Sequence, residues 1–452
     1  MPPHRTGPLL PRGAIMPDTL RQIIAQNRAG HAAAIPSVCS AHPDVLLASL
    51  RLAATLNRPI VIEATSNQVN QDGGYTGLRP ADFIAQVRSM AQTAALPPQH
   101  LVFGGDHLGP QAWRAQHVDL AMAKARIMVA DYVRAGFTKI HLDCSEGCAG
   151  EPAQLGDPIT AARAADLASV ALTAALTAAT RPETLLFVIG TEVPPPGGAR
   201  GDGHGIIPTT PAAAMATMQA HVQAFTAAGI AHAIPQIGGL VVQPGVEFSP
   251  MQVHHLPLHH DPGFAPILAQ FPGLCLEAHS TDYQHSAAYP RLAQLGFAFQ
   301  KVGPALTHAY RRAVYALETL RQITRPTTPI WQVMERLMIE NPTHWQAHYH
   351  GDDLPSQRHF ALADRIRYYW PHPQAQAAIT QLLSDMARPQ PDPVPDPVPD
   401  PVLAQAFAPE IIAHARSLGG PLPTALIHAE IQSALRPYFI DSSANSPQGA
   451  AP

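Results

Sequence analysis

The sequence predicts an α/β chain folded as a TIM (β/α)8 barrel, with a helical extension on its C-terminal side. Three observations carry that expectation. Eight short β-type runs are apolar on both faces, as strands of a parallel sheet covered by helices must be. They alternate with helical stretches, giving eight units over about 270 residues, the span of a closed barrel. No G-x-G-x-x-G follows the first run, which makes a doubly wound open sheet the weaker alternative.

Taken in order, residues 1–16, with Pro2, Pro3, Pro8 and Pro11, read as a disordered extension, and Met16 is a candidate start of the folded chain. The barrel is expected over 17–325. Leu20, Ile23 and Ile24 mark an amphipathic helix over 19–28. The β-type runs fall at 33–38, 59–64, 101–104, 139–142, 185–189, 237–242, 274–278 and 298–302. Helices rich in Ala, Leu, Arg and Gln intervene, among them 113–133, 159–179 and 211–228. A helical extension covers 326–388, with helices at 330–339, 361–369 and 374–386. The Asp-Pro-Val-Pro repeat of 389–402 reads as an extended polyproline linker of roughly 40 Å, at about 3.1 Å per residue. C-terminal helices follow over 403–440, including 424–435, and 441–452 is a frayed tail.

Composition narrows the function. The 452 residues are 46% hydrophobic and carry a formal charge of −4, so a sizeable core is available and no basic field points to nucleic acid. The four cysteines (Cys39, Cys144, Cys148, Cys275) lack zinc-ribbon spacing and are expected reduced. No apolar run is read as a membrane span and the N-terminus lacks a signal-peptide core, so a soluble, cytoplasmic protein is expected.

In such a barrel the reactive groups sit at the C-terminal strand ends. Those ends read Cys39-Ser40-Ala41-His42, Glu63 to Gln68 with Asn67, Gly104-Gly105-Asp106-His107, Asp143 to Glu146, Thr191-Glu192, Gln243-Pro244-Gly245, His279 to Asp282, and Lys301-Val302-Gly303-Pro304. Taken alone each has a plain structural explanation: Asp106 as a helix N-cap, Ser40 as a cap, Glu63 paired with Lys301. Together on one rim they form a site for a polyhydroxylated ligand. His107, Glu192 and His279 are the expected metal ligands, for a divalent ion with zinc first. Gln243 is a weaker ligand and is expected to bind substrate. Asp106, Glu192 and Asp282 are the expected catalytic groups, and Ser40, Glu63, Asn67 and Asp143 the hydroxyl-binding ones. A phosphate is expected near Ser280, Lys301, Gly303 and the helix start after Pro304, or on Arg365 and Arg367. A divalent ion polarising a ketone would stabilise an enediolate, the intermediate common to aldol cleavage and sugar epimerisation.

The runs SVCSAHP (37–43), IEATSNQVNQDGGYTG (62–77), GGDHLGP (104–110), AGFTKIHLD (135–143), IGTEVPPPGG (189–198), VVQPGVEF (241–248), EAHSTDYQ (277–284), KVGPALT (301–307) and ADRIRYYWP (363–371) resemble the GatZ/KbaZ family, the Z-type subunits of D-tagatose-1,6-bisphosphate aldolase. The similarity covers about 17–385 and resumes in the terminal helices; the N-terminal extension and the Asp-Pro-Val-Pro linker depart from it. It implies a barrel similar to class II aldolases. In those, an acid-His pair on the third strand supplies proton donor and metal ligand, matched by Asp106 and His107. A seventh-strand histidine, matched by His279, supplies another ligand. The aldolase histidine after strand six is Gln243 here, which argues against aldol cleavage by this chain alone. Two functions are compatible with the resemblance. One is metal-dependent C4 epimerisation of D-tagatose 6-phosphate and D-fructose 6-phosphate. The other is a non-catalytic subunit stabilising a Y-type aldolase partner. A homo-oligomer is a further expectation. A sugar-phosphate kinase finds no Walker-type or kinase-type glycine loop.

Overall fold

The structure, a computed structural model, describes residues 19–178, 181–190, 206–387 and 400–440. Eight parallel strands close a barrel: β1 (Ile35–Cys39), β2 (Ile60–Thr65), β3 (Leu101–Leu108), β4 (Lys139–Leu142), β5 (Leu186–Gly190), β6 (Ile237–Val241), β9 (Cys275–Ala278) and β10 (Phe297–Val302). The strands β7 (Glu247–Phe248) and β8 (Val253–His254) form a small antiparallel hairpin on the loop after β6. Closure runs through β1 against β10, with Ser37 opposite Lys301, and β1 against β2, with Cys39 opposite Glu63. The TIM-like architecture expected from the alternating pattern is the one observed.

The third strand is longer than expected. Gly104-Gly105 reads as a turn, yet both glycines lie inside β3, which continues through Asp106 and His107 to Leu108. Their role is close packing. A Cβ on Gly104 would stand 2.8 Å from the Glu63 side chain, and one on Gly105 2.6 Å from Leu108. Asp106 is therefore a strand residue facing the barrel interior and caps no helix. The helix expected from 113 is instead a 3-10 turn (Pro110–Trp113) followed by α4 (Val118–Ala135), capped by the His117 side chain.

Two hydrophobic layers hold the barrel. The outer one joins the strands' outward side chains to the surrounding helices α2 (Pro43–Leu56), α3 (Pro80–Thr93), α4, α5 (Asp157–Thr177), α6 (Pro211–Ala227), α7 (Ala265–Gln270), α8 (Ala288–Gln294) and α9 (Pro304–Thr324). The inner one closes the lower end, where Leu20, Ile23 and Ile24 of α1 (Thr19–Arg28) plug onto Ile35, Val61, Leu186, Val188, Cys275 and Phe299. By length and composition α5 is apolar enough to cross a membrane, with a mean hydropathy of 1.4, which corrects the expectation of no such run. Here it is a barrel helix, packed between α4 and α6 through Ala161, Ala164, Ala168 and Leu172.

Past the barrel come α10 (Ile330–Glu340), α11 (Leu354–Phe360), α12 (Pro373–Ala387), α13 (Asp400–Leu403), α14 (Pro409–Leu418) and α15 (Leu422–Leu435). The helix expected over 361–369 is broken. Asp364 takes a left-handed φ of 47°, its carboxylate held by Arg311 Nε at 2.9 Å, and a 3-10 turn (Arg365–Tyr369) follows. In the Pro-rich linker, residues 400–402 are helical rather than extended, and 389–399 lie outside the described residues. α15 returns to the barrel wall between α2 and α9, where Gln432 Nε2 donates to Ala48 O at 2.9 Å.

Candidate metal and substrate site at the barrel mouth

Two residues up β2, β9 and β10 from the apolar plug, the inward positions become ionic. The Lys139 ammonium bridges Glu63 Oε1 at 2.5 Å and Glu277 Oε2 at 2.6 Å, all three fully buried. Lys301 lies above them, 3.3 Å from Glu277 Oε1 and 3.7 Å from Glu63 Oε2, and bonded to the Asp106 carboxylate. Burial alone would discharge these groups, and mutual attraction reverses it. Asp106 and Glu277 are held well below the usual carboxylate range, and Lys301 well above the usual ammonium.

On this ionic floor stand three imidazoles. The rings of His107, His141 and His279 form a triangle with centroid separations of 4.8, 5.2 and 5.3 Å. His107 Nδ1 is 2.8 Å from Asp143 Oδ2, which turns Nε2 toward Asp106 Oδ1 at 3.6 Å. His141 Nε2 donates to Gly190 O at 3.3 Å, leaving Nδ1 on the Asp106 side at 3.0 Å. Burial, then the Lys301 charge, pushes His141 down to about 4, so this ring is neutral near pH 7. His279 Nε2 lies 2.9 Å from Glu277 Oε1.

The donor set fits a divalent cation. Ligand atoms of Asp106, His107 and His141, and of His141, Glu277 and His279, each lie within 4.8 Å of one another. Second partners fix which ring nitrogen faces inward for His107 and His141, the usual support of a metal-binding histidine. His141 Nδ1 accepts the His107 backbone N–H at 3.3 Å, with Lys301 Nζ 3.4 Å away, so a bound cation would take the place of these donors on its lone pair.

The other sequence-predicted residues divide by geometry. A cavity of about 300 Å³ above the imidazoles is lined by Asn67, Asp106, His107, His279, Ser280, Asp282, Lys301, Gly303, Arg365 and Arg367, among others. Ser40 opens on an adjoining chamber, its Oγ accepting the His42 N–H at 3.2 Å. Glu63 and Asp143 lie behind the lining and hold Lys139 and His107. Gln243 is off this cavity: its Oε1 accepts from Gly245 N at 2.8 Å and Val246 N at 3.0 Å, closing its own turn. Asp282 occupies the place expected for phosphate. Its Oδ1 accepts from Gly303 N at 3.0 Å and Ala305 N at 2.8 Å, the first amides of α9, while burial pushes its carboxyl up to about 6. Glu192 lies outside the described residues. Sequence reasoning passed over His141, Lys139 and Glu277. Their signal is period two: Lys139 and His141, and Cys275, Glu277 and His279, alternate with apolar neighbours along β4 and β9.

Fold and mouth together define a (β/α)8-barrel protein with a histidine-carboxylate centre open to a polar cavity. Residues 20–443 match the family described as D-tagatose-1,6-bisphosphate aldolase subunit GatZ/KbaZ-like, and the chain belongs to that family. It is 48% identical over 372 residues to a D-tagatose 6-phosphate 4-epimerase of Agrobacterium fabrum, covering 80% of this chain and 86% of that protein. Among solved structures, a probable tagatose 6 phosphate kinase from Sinorhizobium meliloti superposes with a TM-score of 0.79 at 41% identity, covering 90% of this chain and 99% of that one.

Proposed function

We propose that this chain interconverts D-tagatose 6-phosphate and D-fructose 6-phosphate by inverting C4, in the cytoplasm and with a divalent metal ion. The observation that carries the reading is the triangle of His107, His141 and His279 around Asp106 at the floor of a cavity walled by Arg365 and Arg367. The 48% identical relative bears the name of that epimerase. The kinase in the name of the Sinorhizobium structure has no support in a phosphate-cradling glycine loop of this sequence.

The three histidines, with Asp106 or Glu277 beside them, would hold the ion, zinc first. When bound it supplies positive charge against an enediolate. C4 is not adjacent to the C2 ketone, so a proton taken directly from C4 leaves an unstabilised carbanion. Breaking the C3–C4 bond avoids this. Asp106, kept ionised by its neighbours, accepts the O4 proton, and the C3–C4 electron pair passes into the C2–C3 enediolate. O4 becomes the carbonyl of glyceraldehyde 3-phosphate. Once the aldehyde turns its other face, C3 adds back and Asp106 returns the proton to O4. Arg365 and Arg367 retain the phosphate through the turn. Lys301 and Glu277 keep Asp106 and His279 in place, and Asp143 fixes His107.

Accessory binding to a Y-type aldolase subunit is the second reading of the family, and a mouth built of buried charge is costly for a scaffold alone. The test is the purified chain, without partner, incubated with D-tagatose 6-phosphate and followed by NMR. D-fructose 6-phosphate should form, and chelation should stop it. No conversion by the metal-loaded chain, with stimulation of a Y-type aldolase instead, would overturn the proposal.

A further inference from the structure

The cavity wall carries two arginine sites of opposite character. Arg367 meets neutral groups: Asp364 O at 3.2 Å, Tyr368 OH at 3.0 Å, and the Tyr368 ring 4.6 Å beneath it. Its neighbours on the cavity, Tyr75 and Gly303, follow β2 and β10 and so flank β1. Arg114, which follows β3, is already matched, 2.5 Å from the Glu146 carboxylate after β4. Both side chains of this pair line the cavity, Glu146 the more buried at 16% exposed and Arg114 at 50%.

Glu146 is held by a built loop. Its backbone bridges Gln154, Leu155 N donates to Ser145 O at 2.8 Å, and Gly147 N to Ala153 O at 3.1 Å. The loop is rooted at Asp143, whose Oδ1 accepts from Ser145 N at 3.1 Å while Oδ2 fixes His107. The position of Glu146 is thus tied to the imidazole floor.

An open-chain ketose phosphate with its phosphate on Arg367 and its reacting carbons over the imidazoles would keep its C1 end within the cavity that Glu146, after β4, also lines. We infer that Glu146 is a specificity-determining residue: it accepts a hydrogen bond from a neutral C1 hydroxymethyl group and repels a second phosphate. The site is therefore selective for ketohexose monophosphates over 1,6-bisphosphates. Arg114 offers a bisphosphate no unspent charge while Glu146 neutralises it.

This inference rests on the proposed function, and a binding readout separates the two. Calorimetry of the metal-loaded protein with fructose 6-phosphate and with fructose 1,6-bisphosphate is compared for the wild type, Glu146→Gln and Arg114→Gln. The wild type should favour the monophosphate by about tenfold or more. Glu146→Gln, whose amide oxygen is a weaker acceptor and carries no charge, should weaken the monophosphate and tighten the bisphosphate, moving their affinity ratio by about tenfold or more. Arg114→Gln should leave monophosphate affinity near the wild type. Equal wild-type affinities, an unchanged ratio in Glu146→Gln, or a large loss of monophosphate binding in Arg114→Gln would overturn the inference and leave the epimerase reading standing. Absence of binding by either sugar would overturn both.

Discussion

The lower and upper halves of the barrel interior are built from the same strands and obey opposite rules. Below, Ile35, Val61, Cys275 and Phe299 meet Leu20, Ile23 and Ile24 of α1 in a dry apolar layer. Two residues further along β2, β9 and β10 the inward side chains are Glu63, Glu277 and Lys301, joined by Lys139 and then by Asp106 and His141. The lower layer is additive, each aliphatic side chain contributing about 1.5–3 kcal/mol by leaving water. The upper layer is interdependent, because each buried charge is tolerable only while its partners are present. One half holds the barrel closed, and the other poises charge and lone pairs at a cavity.

The sharpest way to break this comparison is Lys139→Leu. It leaves Glu63 and Glu277 facing each other across an apolar side chain, with Lys301 alone to balance them. A loss of about 3–5 kcal/mol in urea unfolding is expected. A loss below about 1 kcal/mol would show that the upper layer does not depend on pairing.

Ile24→Ala probes the lower layer. The cavity should cost about 2–4 kcal/mol, while turnover per folded molecule stays at the wild-type level. A large fall in turnover would mean that the two layers are mechanically coupled.

A smaller effect comes from Asp282, whose carboxyl titrates near 6 in the folded protein, above the ordinary value of 3.8. The folded state holds that proton more tightly, so its contribution is full below pH 3.8 and is lost as pH rises through about 6. Asp282→Asn removes the titration while keeping an oxygen for Gly303 N and Ala305 N. Across that window the wild type should lose about 2–3 kcal/mol relative to the variant. Parallel stability curves would contradict the assigned titration.

The sequence showed the barrel because buried parallel strands and covering helices leave a plain pattern of apolar runs. It showed Asp106, His107 and His279 because strand ends in a barrel are where chemistry gathers. It hid the rest for physical reasons. Gly104 and Gly105 look like a turn, but they are small because Glu63, Leu108 and Tyr132 press on them. His141, Lys139 and Glu277 sit within strands, where apolar neighbours mask the inward alternation. Asp282 reads as a catalytic group and Gln243 as a substrate-binding one, and what the sequence does not show is that each accepts from backbone amides that only the folded chain brings within reach. The short loop that carries Glu146 shows its pairing with Arg114 only in three dimensions.

The most direct test of the upper layer's role measures bound metal and epimerase turnover together in the wild type, His107→Ala and Asp106→Asn. His107→Ala should lose the ion and the activity, because one strong ligand is gone. Asp106→Asn, which keeps size but can neither take up nor release a proton at neutral pH, should retain the ion on His107, His141 and His279 and lose about 10²–10⁴-fold in turnover. Full turnover in Asp106→Asn, or undiminished metal binding in His107→Ala, would contradict the account.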